Sequence, residues 1–208
     1  SVAVATVLFP TLSRYVARQD LDGLRRTQAN GIRQIALLLI PCAAITIVLA
    51  EPITRLVYQR GEFDAESTQQ TAEALFWFSF SLPFSGFNLL LTRTFFSLQK
   101  PWTPTGLAGV TLLINVGVSA ALYGPFGIAG VVLGTVVATA AMTVGQAIFL
   151  RRRLGGLQLT TTLKATARIL VGATVLGLVA YGTWYALDQA LGRSFVAQLI
   201  SVGTALTL

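Results

Sequence analysis

The chain has no histidine and a single cysteine, Cys42, which sits inside an apolar run. An internal disulfide is therefore impossible, and the Cys/His sets that build zinc sites are missing. Histidine-based acid–base and triad chemistry goes with them. Charge is scarce as well, at 11% of 208 residues, against about 25% in an ordinary soluble domain. The eight carboxylates are scattered along the chain, so no pair offers itself for catalysis. The sequence therefore points to no enzyme and no resident cofactor.

What it does have is long apolar runs. Hydrophobic residues make up 54% of the chain and the mean hydropathy is +0.70. Charges cluster between the runs, the pattern of an all-α polytopic membrane protein. The net charge is +7, but the basic residues stand at the ends of the runs. That placement serves membrane orientation and argues against nucleic acid as a partner. The chain opens without methionine inside one apolar run and stops at Leu208 inside another. No basic segment precedes the first run, which speaks against a signal peptide. A fragment of a longer membrane protein is the expectation.

Five complete and two partial crossings are expected. Residues 1–9 read as the end of a truncated transmembrane helix, and 10–33 as a basic amphipathic linker on the cytoplasmic headgroups. The stretch 34–58 crosses, 59–71 forms an external hairpin, and 72–98 returns. Helices are expected over 104–123 and 127–150, joined by a tight turn at Gly124-Pro125-Phe126-Gly127. A basic cytoplasmic linker, 151–168, leads to a span at 169–187, a turn over 188–194 and a truncated span at 195–208. The full runs suit a hydrocarbon core of about 30 Å at about 1.5 Å per residue. With this alternation, twelve of the fifteen Lys and Arg fall on one side and six of the eight acids on the other. The positive-inside rule makes the basic side cytoplasmic.

Polar residues inside the spans are the candidates for function. Asn115 and Ser119 are four apart and share a helix face. Measured from the turn at Pro125, Asn115 lies level with Thr135, and Ser119 level with Val131. Buried polar groups at that depth need partners. Either an interhelical hydrogen bond or an oxygen-rich site for a small cation answers the need. Asn88 and Arg93, toward the cytoplasmic end of their span, are candidates for the substrate path, with snorkelling to the interface the ordinary alternative for Arg93. Gly130, Gly134 and Ala138 form a small-residue stripe for close helix packing. Pro41 and Pro83 lie within spans, as hinges or as static bends.

An ordered set of short motifs now becomes informative. Leu8-Phe9-Pro10-Thr11-Leu12-Ser13, then Ala50-Glu51-Pro52-Ile53 running to Tyr58-Gln59-Arg60-Gly61-Glu62-Phe63, resembles the MurJ/MviN lipid II flippases. Arg93-Thr94-Phe95-Phe96-Ser97 followed by Thr103-Pro104 is similar to the same family, while Lys100 stands where an acidic residue is common. The resemblance covers essentially the whole chain, from the end of the family's eighth helix into its fourteenth. It implies the C-terminal half of a fourteen-helix exporter of the multidrug/oligosaccharidyl-lipid/polysaccharide (MOP) superfamily, in a bacterial inner membrane. It implies alternating access that moves an undecaprenyl-linked peptidoglycan precursor to the outer leaflet, with membrane lipids as the other partner. The family's cavity arginines lie mainly in helices absent here. A sodium site in some members maps by spacing onto Asn115, Ser119, Val131 and Thr135, with Ser119 replacing the family's anionic ligand. The family's last two helices also form a groove suited to a polyprenyl tail. Another exporter of the superfamily, or a membrane scaffold for a regulatory domain, is the alternative.

The topology has a direct test. A cysteine placed at Gln69, in a background free of other cysteines, should react with an impermeant reagent in intact cells. Labelling only after permeabilisation would invert the orientation.

Overall fold

The computed structural model describes residues 2–58, 65–156, 159–191 and 201–205. Among the described residues the chain is helical, as hydrocarbon demands: a peptide group there must find its partner within its own helix. The helices are α1 (Val2–Ala17), α2 (Leu21–Val48), α3 (Ala50–Tyr58), α4 (Ala65–Ser79), α5 (Ser81–Ser97), α6 (Trp102–Leu154) and α7 (Leu159–Leu191). At about 1.5 Å per residue, the 53 residues of α6 would reach about 80 Å, far beyond one bilayer core. They do not run straight. Gly127, with φ 54° and ψ −130°, folds them into two arms, α6a (102–126) and α6b (128–154). Only glycine reaches that backbone region at low cost.

The arms pack closely because small residues line the seam. A Cβ on Gly130 would run into the Leu122 carbonyl, and one on Gly134 into Ser119. Ala138, one turn on, is buried. The small-residue stripe is thus a packing surface.

Several expected boundaries move. Residues 10–33 are not a separate linker: α1 continues through Pro10 to Ala17, and α2 begins at Leu21. The break is confined to 18–20, where Gln19 takes a positive φ of 56° and the Asp20 carboxylate accepts the Gly23 N–H at 2.8 Å. The 34–58 run is two helices, not one. Pro52 has no N–H for the Val48 carbonyl, and the helix breaks between them at Leu49. Pro41, by contrast, lies inside an uninterrupted α2.

Pro83 acts as Pro52 does. It leaves the Ser79 carbonyl without its helical donor, and α4 and α5 meet at Phe80 with a 42° bend. The 59–71 hairpin is already helical from Ala65, while 59–64 lies outside the described residues. The 151–168 linker shrinks, since α6b reaches Leu154, Gly155 caps it in the left-handed conformation (φ 66°), and α7 starts at Leu159. The span placed at 169–187 is longer at both ends, because α7 runs on to Leu191 and no turn opens at Asp188. Much of the last run, 195–200 and 206–208, lies outside the described residues.

The core joins four helices at one end. Leu12 of α1, Leu24 and Ile35 of α2, Leu90, Leu91 and Phe95 of α5, and Leu150 and Leu154 of α6b form one buried cluster. Gly31 lets α2 approach there, since a Cβ would meet Leu8 and Leu90. Arg25 donates to the Leu154 carbonyl at the end of α6b and pairs with Asp22 at 3.0 Å. A cation on the last carbonyls of a helix also suits its dipole. The same bond brings the basic start of α2 beside the Arg151–Arg153 cluster. The outer faces of α6a and α7 stay apolar and exposed, with Leu113 at 73% and Leu178 at 67%.

The seam yields a prediction. Gly130→Ala should lower the stability of the folded protein by about 1–3 kcal/mol through overpacking. Gly109→Ala, with nothing within 4 Å of the added methyl, should leave the thermal midpoint no lower, since alanine favours the helix. Equal midpoints for both variants and the parent would contradict the seam.

Candidate functional site

The two arms of α6 bring together the residues that counting from Pro125 set at equal depth. Asn115 Nδ2 donates to Thr135 Oγ1 at 3.3 Å, and Ser119 Oγ donates to the Val131 carbonyl at 3.3 Å. Ser119 Oγ also lies 3.3 Å from Asn115 Oδ1, and Thr135 Oγ1 lies 3.4 Å from the Val131 carbonyl. Four neutral oxygens therefore converge in a half-buried seam, without a carboxylate. Each bond is long, on the outer edge of the normal range. Neutral oxygens at this spacing can hold the hairpin together or, by opening slightly, face a monovalent cation. A divalent ion would call for carboxylates.

Asn88 and Arg93 are not brought together. Five residues apart on α5, they lie about 140° apart around the helix. Asn88 faces α6b: its Nδ2 donates to the Thr139 carbonyl at 3.2 Å, and its Oδ1 accepts from Thr143 Oγ1 at 2.9 Å. Arg93 faces α1, with its guanidinium 5.9 Å from the Phe9 ring centre. That distance is within the reach of a cation–π contact. Arg93 is thus half-buried against the protein.

Sequence reasoning missed the partners of Asn88. Thr135, Thr139 and Thr143 recur every four residues along α6b, and the hydroxyls of Thr139 and Thr143 donate to carbonyls one turn back at 2.7 and 3.0 Å. Next along, Gln146 is fully buried and donates from Nε2 to Thr92 Oγ1 at 2.9 Å. The four-residue spacing was visible in the sequence, but it resembles ordinary threonine in a span. Only the neighbouring helix shows which of these residues meet a partner.

Apolar space adjoins this polar seam. A cavity of about 570 Å³ lies between α2, α5 and α7, walled by residues such as Ile40, Val48, Phe87, Leu170 and Leu178. A second, of about 260 Å³, continues from it past Phe84, Phe87 and Thr166 to Arg25 and Gln28. Among groups of His, Cys, Asp and Glu in the described residues, none could hold a metal ion.

Antiparallel spans, proline-broken helices and polar contacts within the apolar layer define a multi-pass helical membrane protein. The family model for lipid II flippase MurJ matches residues 1–201. The chain belongs to the MurJ lipid II flippase family. It is 31% identical over 137 residues to the probable lipid II flippase MurJ of Rhizobium meliloti (strain 1021), covering 66% of this chain and 26% of that protein. The Synechocystis sp. (strain ATCC 27184 / PCC 6803 / Kazusa) relative of the same description is 33% identical over 172 residues, covering 82% of this chain and 32% of its own length. The fold matches a solved structure described as lipid II flippase MurJ, inward closed conformation, with a TM-score of 0.72 at 20% identity. That match covers 98% of this chain and 41% of the other. The chain thus spans about a quarter to a third of the length of these curated relatives.

Proposed function

We propose that this chain is the C-terminal part of a lipid II flippase, working by alternating access in a bacterial inner membrane. The observation that carries it is the family match over residues 1–201. The fold supports it, with apolar spans interrupted at Pro52 and Pro83. The substrate is the undecaprenyl-linked peptidoglycan precursor, which crosses without covalent change, so the protein is a transporter and not an enzyme. Neither a drug or polysaccharide exporter nor a membrane scaffold finds comparable support.

The chain supplies one lobe. An arginine-rich cavity for a pyrophosphate-linked substrate needs guanidinium groups facing water. Here the arginine on the cavity wall, Arg25, is committed to Asp22 and Leu154, and Arg93 of α5 lies against Phe9, while exposed arginines such as Arg14 and Arg151 stand at helix ends. Expression of the full-length protein should therefore rescue growth and peptidoglycan synthesis in bacteria depleted of their flippase, while residues 1–208 alone should not. Rescue by the chain alone would overturn this division of labour.

Sodium is the proposed coupling ion, held by Asn115, Ser119, Thr135 and the Val131 carbonyl. Their neutral oxygens fit a monovalent cation, which bound there would supply positive charge that ties the two arms. With Ser119 in place of a carboxylate, affinity should be modest. Sodium in place of choline should raise the thermal midpoint of the full-length protein, and Asn115→Ala should reduce that shift. A parent indifferent to sodium would sink the proposal.

A further inference from the structure

We propose that Asn88, Thr143 and the carbonyls of Phe84 and Thr139 form a second binding site for a small monovalent cation. It rests on the reading of this chain as part of an ion-coupled flippase only for its role, since binding is measured directly.

The first observation is a surplus of acceptors. Thr143 Oγ1 lies 2.9 Å from Asn88 Oδ1, 3.0 Å from the Thr139 carbonyl and 3.3 Å from the Phe84 carbonyl. A hydroxyl has one proton, so it can fully serve only one of these three oxygens. Asn88 Nδ2 adds a donor to the Thr139 carbonyl at 3.2 Å. Four neutral oxygens thus gather around one hydroxyl proton and one amide donor in a part-buried seam, and their second lone pairs give it the partial negative charge that attracts a cation. All four oxygens are neutral, which favours a monovalent over a divalent ion.

The second observation is the chemistry shared with the first cluster. Val131 and Thr135 supply a helical carbonyl and a hydroxyl one turn later, and Asn115 on the facing helix turns its amide nitrogen to Thr135 and its oxygen to Ser119. Thr139, Thr143 and Asn88 repeat that set eight residues on, about 12 Å along α6b. One helix thus presents the same residue types to α6a and then to α5, with the facing amide turned the other way.

The third observation is the setting. Phe84 lies one turn after the 42° break between α4 and α5. Phe84 and Thr143 also line the cavity of about 260 Å³. On the same wall Gln28 is fully buried, and neither Oε1 nor Nε2 has a partner among the described residues. Its amide oxygen offers a further acceptor to an ion or to its water. Arg25, also on that wall, is held by Asp22 and the Leu154 carbonyl.

Equilibrium binding of radioactive sodium to the purified full-length protein, with choline as replacement salt, tests the site. The parent should bind two ions. Thr143→Val should lose one, Asn115→Ala should lose the other, and Thr143→Ser should keep both. Asn88→Asp, by adding charge, should tighten the second site about tenfold. If Thr143→Val does not fold, Asn88→Asp decides, and unchanged affinity there overturns the proposal. One ion lost with Asn115→Ala but insensitive to Thr143→Val leaves the first site standing and removes this one. A parent that binds no sodium removes both.

Discussion

A peptide group inside hydrocarbon has no water to turn to, and that constraint shapes this structure most. Leaving one N–H or carbonyl unpaired there costs several kcal/mol. The chain answers with helices, and where a helix must break it places hydroxyls beside the break. Thr46 donates to the Cys42 carbonyl and Thr54 to that of Ala50, on either side of Leu49. Ser79 donates to the Leu75 carbonyl and Ser81 to that of Phe78, around Phe80. Ser97 and Thr105 do the same around the connection to α6a. These bonds go to carbonyls that flank each break, not to those of Val48 and Ser79 that Pro52 and Pro83 free.

The same rule explains why helix–helix association here depends on small residues and polar contacts. Lipid tails are as apolar as leucine, so burying leucine against leucine gains little beyond dispersion. Gly31, Gly130 and Gly134 permit backbone approach at the seams, and Asn88, Asn115 and Gln146 tie those seams with hydrogen bonds. Such bonds are worth about 1 kcal/mol or less each. Their value lies in register: a one-residue slip of α6b would part Asn115 from Thr135 and Thr143 from Asn88 together.

Much of the fold was legible in the sequence because a membrane imposes a length and a polarity that can be counted. The paired depths of Asn115 with Thr135 and Ser119 with Val131 came from run lengths and one turn. Boundaries were less legible where helices leave the bilayer. Residues 10–33 and 151–168 looked like linkers because they are charged, yet Asp20 and Gly155 compress each break to a few residues. The effect of a proline was ambiguous for a related reason. Pro41 and Pro83 read alike in sequence, but only the second coincides with a sharp bend. The contacts of Asn88 were out of reach altogether, since periodicity shows which face a residue occupies and not which helix covers it.

The position of α6b between two amide-bearing helices has a mechanical consequence. Its carbonyl-and-threonine pairs at 131/135 and 139/143 are fixed to one rigid rod, whereas Asn115 rides on α6a and Asn88 on α5. An ion can shift a conformational balance only by the difference in its affinity for the two states. A site split between helices that move relative to one another supplies such a difference, since a shift of about 1 Å between oxygens separates coordination from its loss. A site confined to one helix could not. Both proposed sites are split between helices, and they share α6b. Under that proposal, displacement of α6b against α6a or α5 would part the oxygens of the cluster on that side, which would give ion occupancy a physical route to the lobe's geometry.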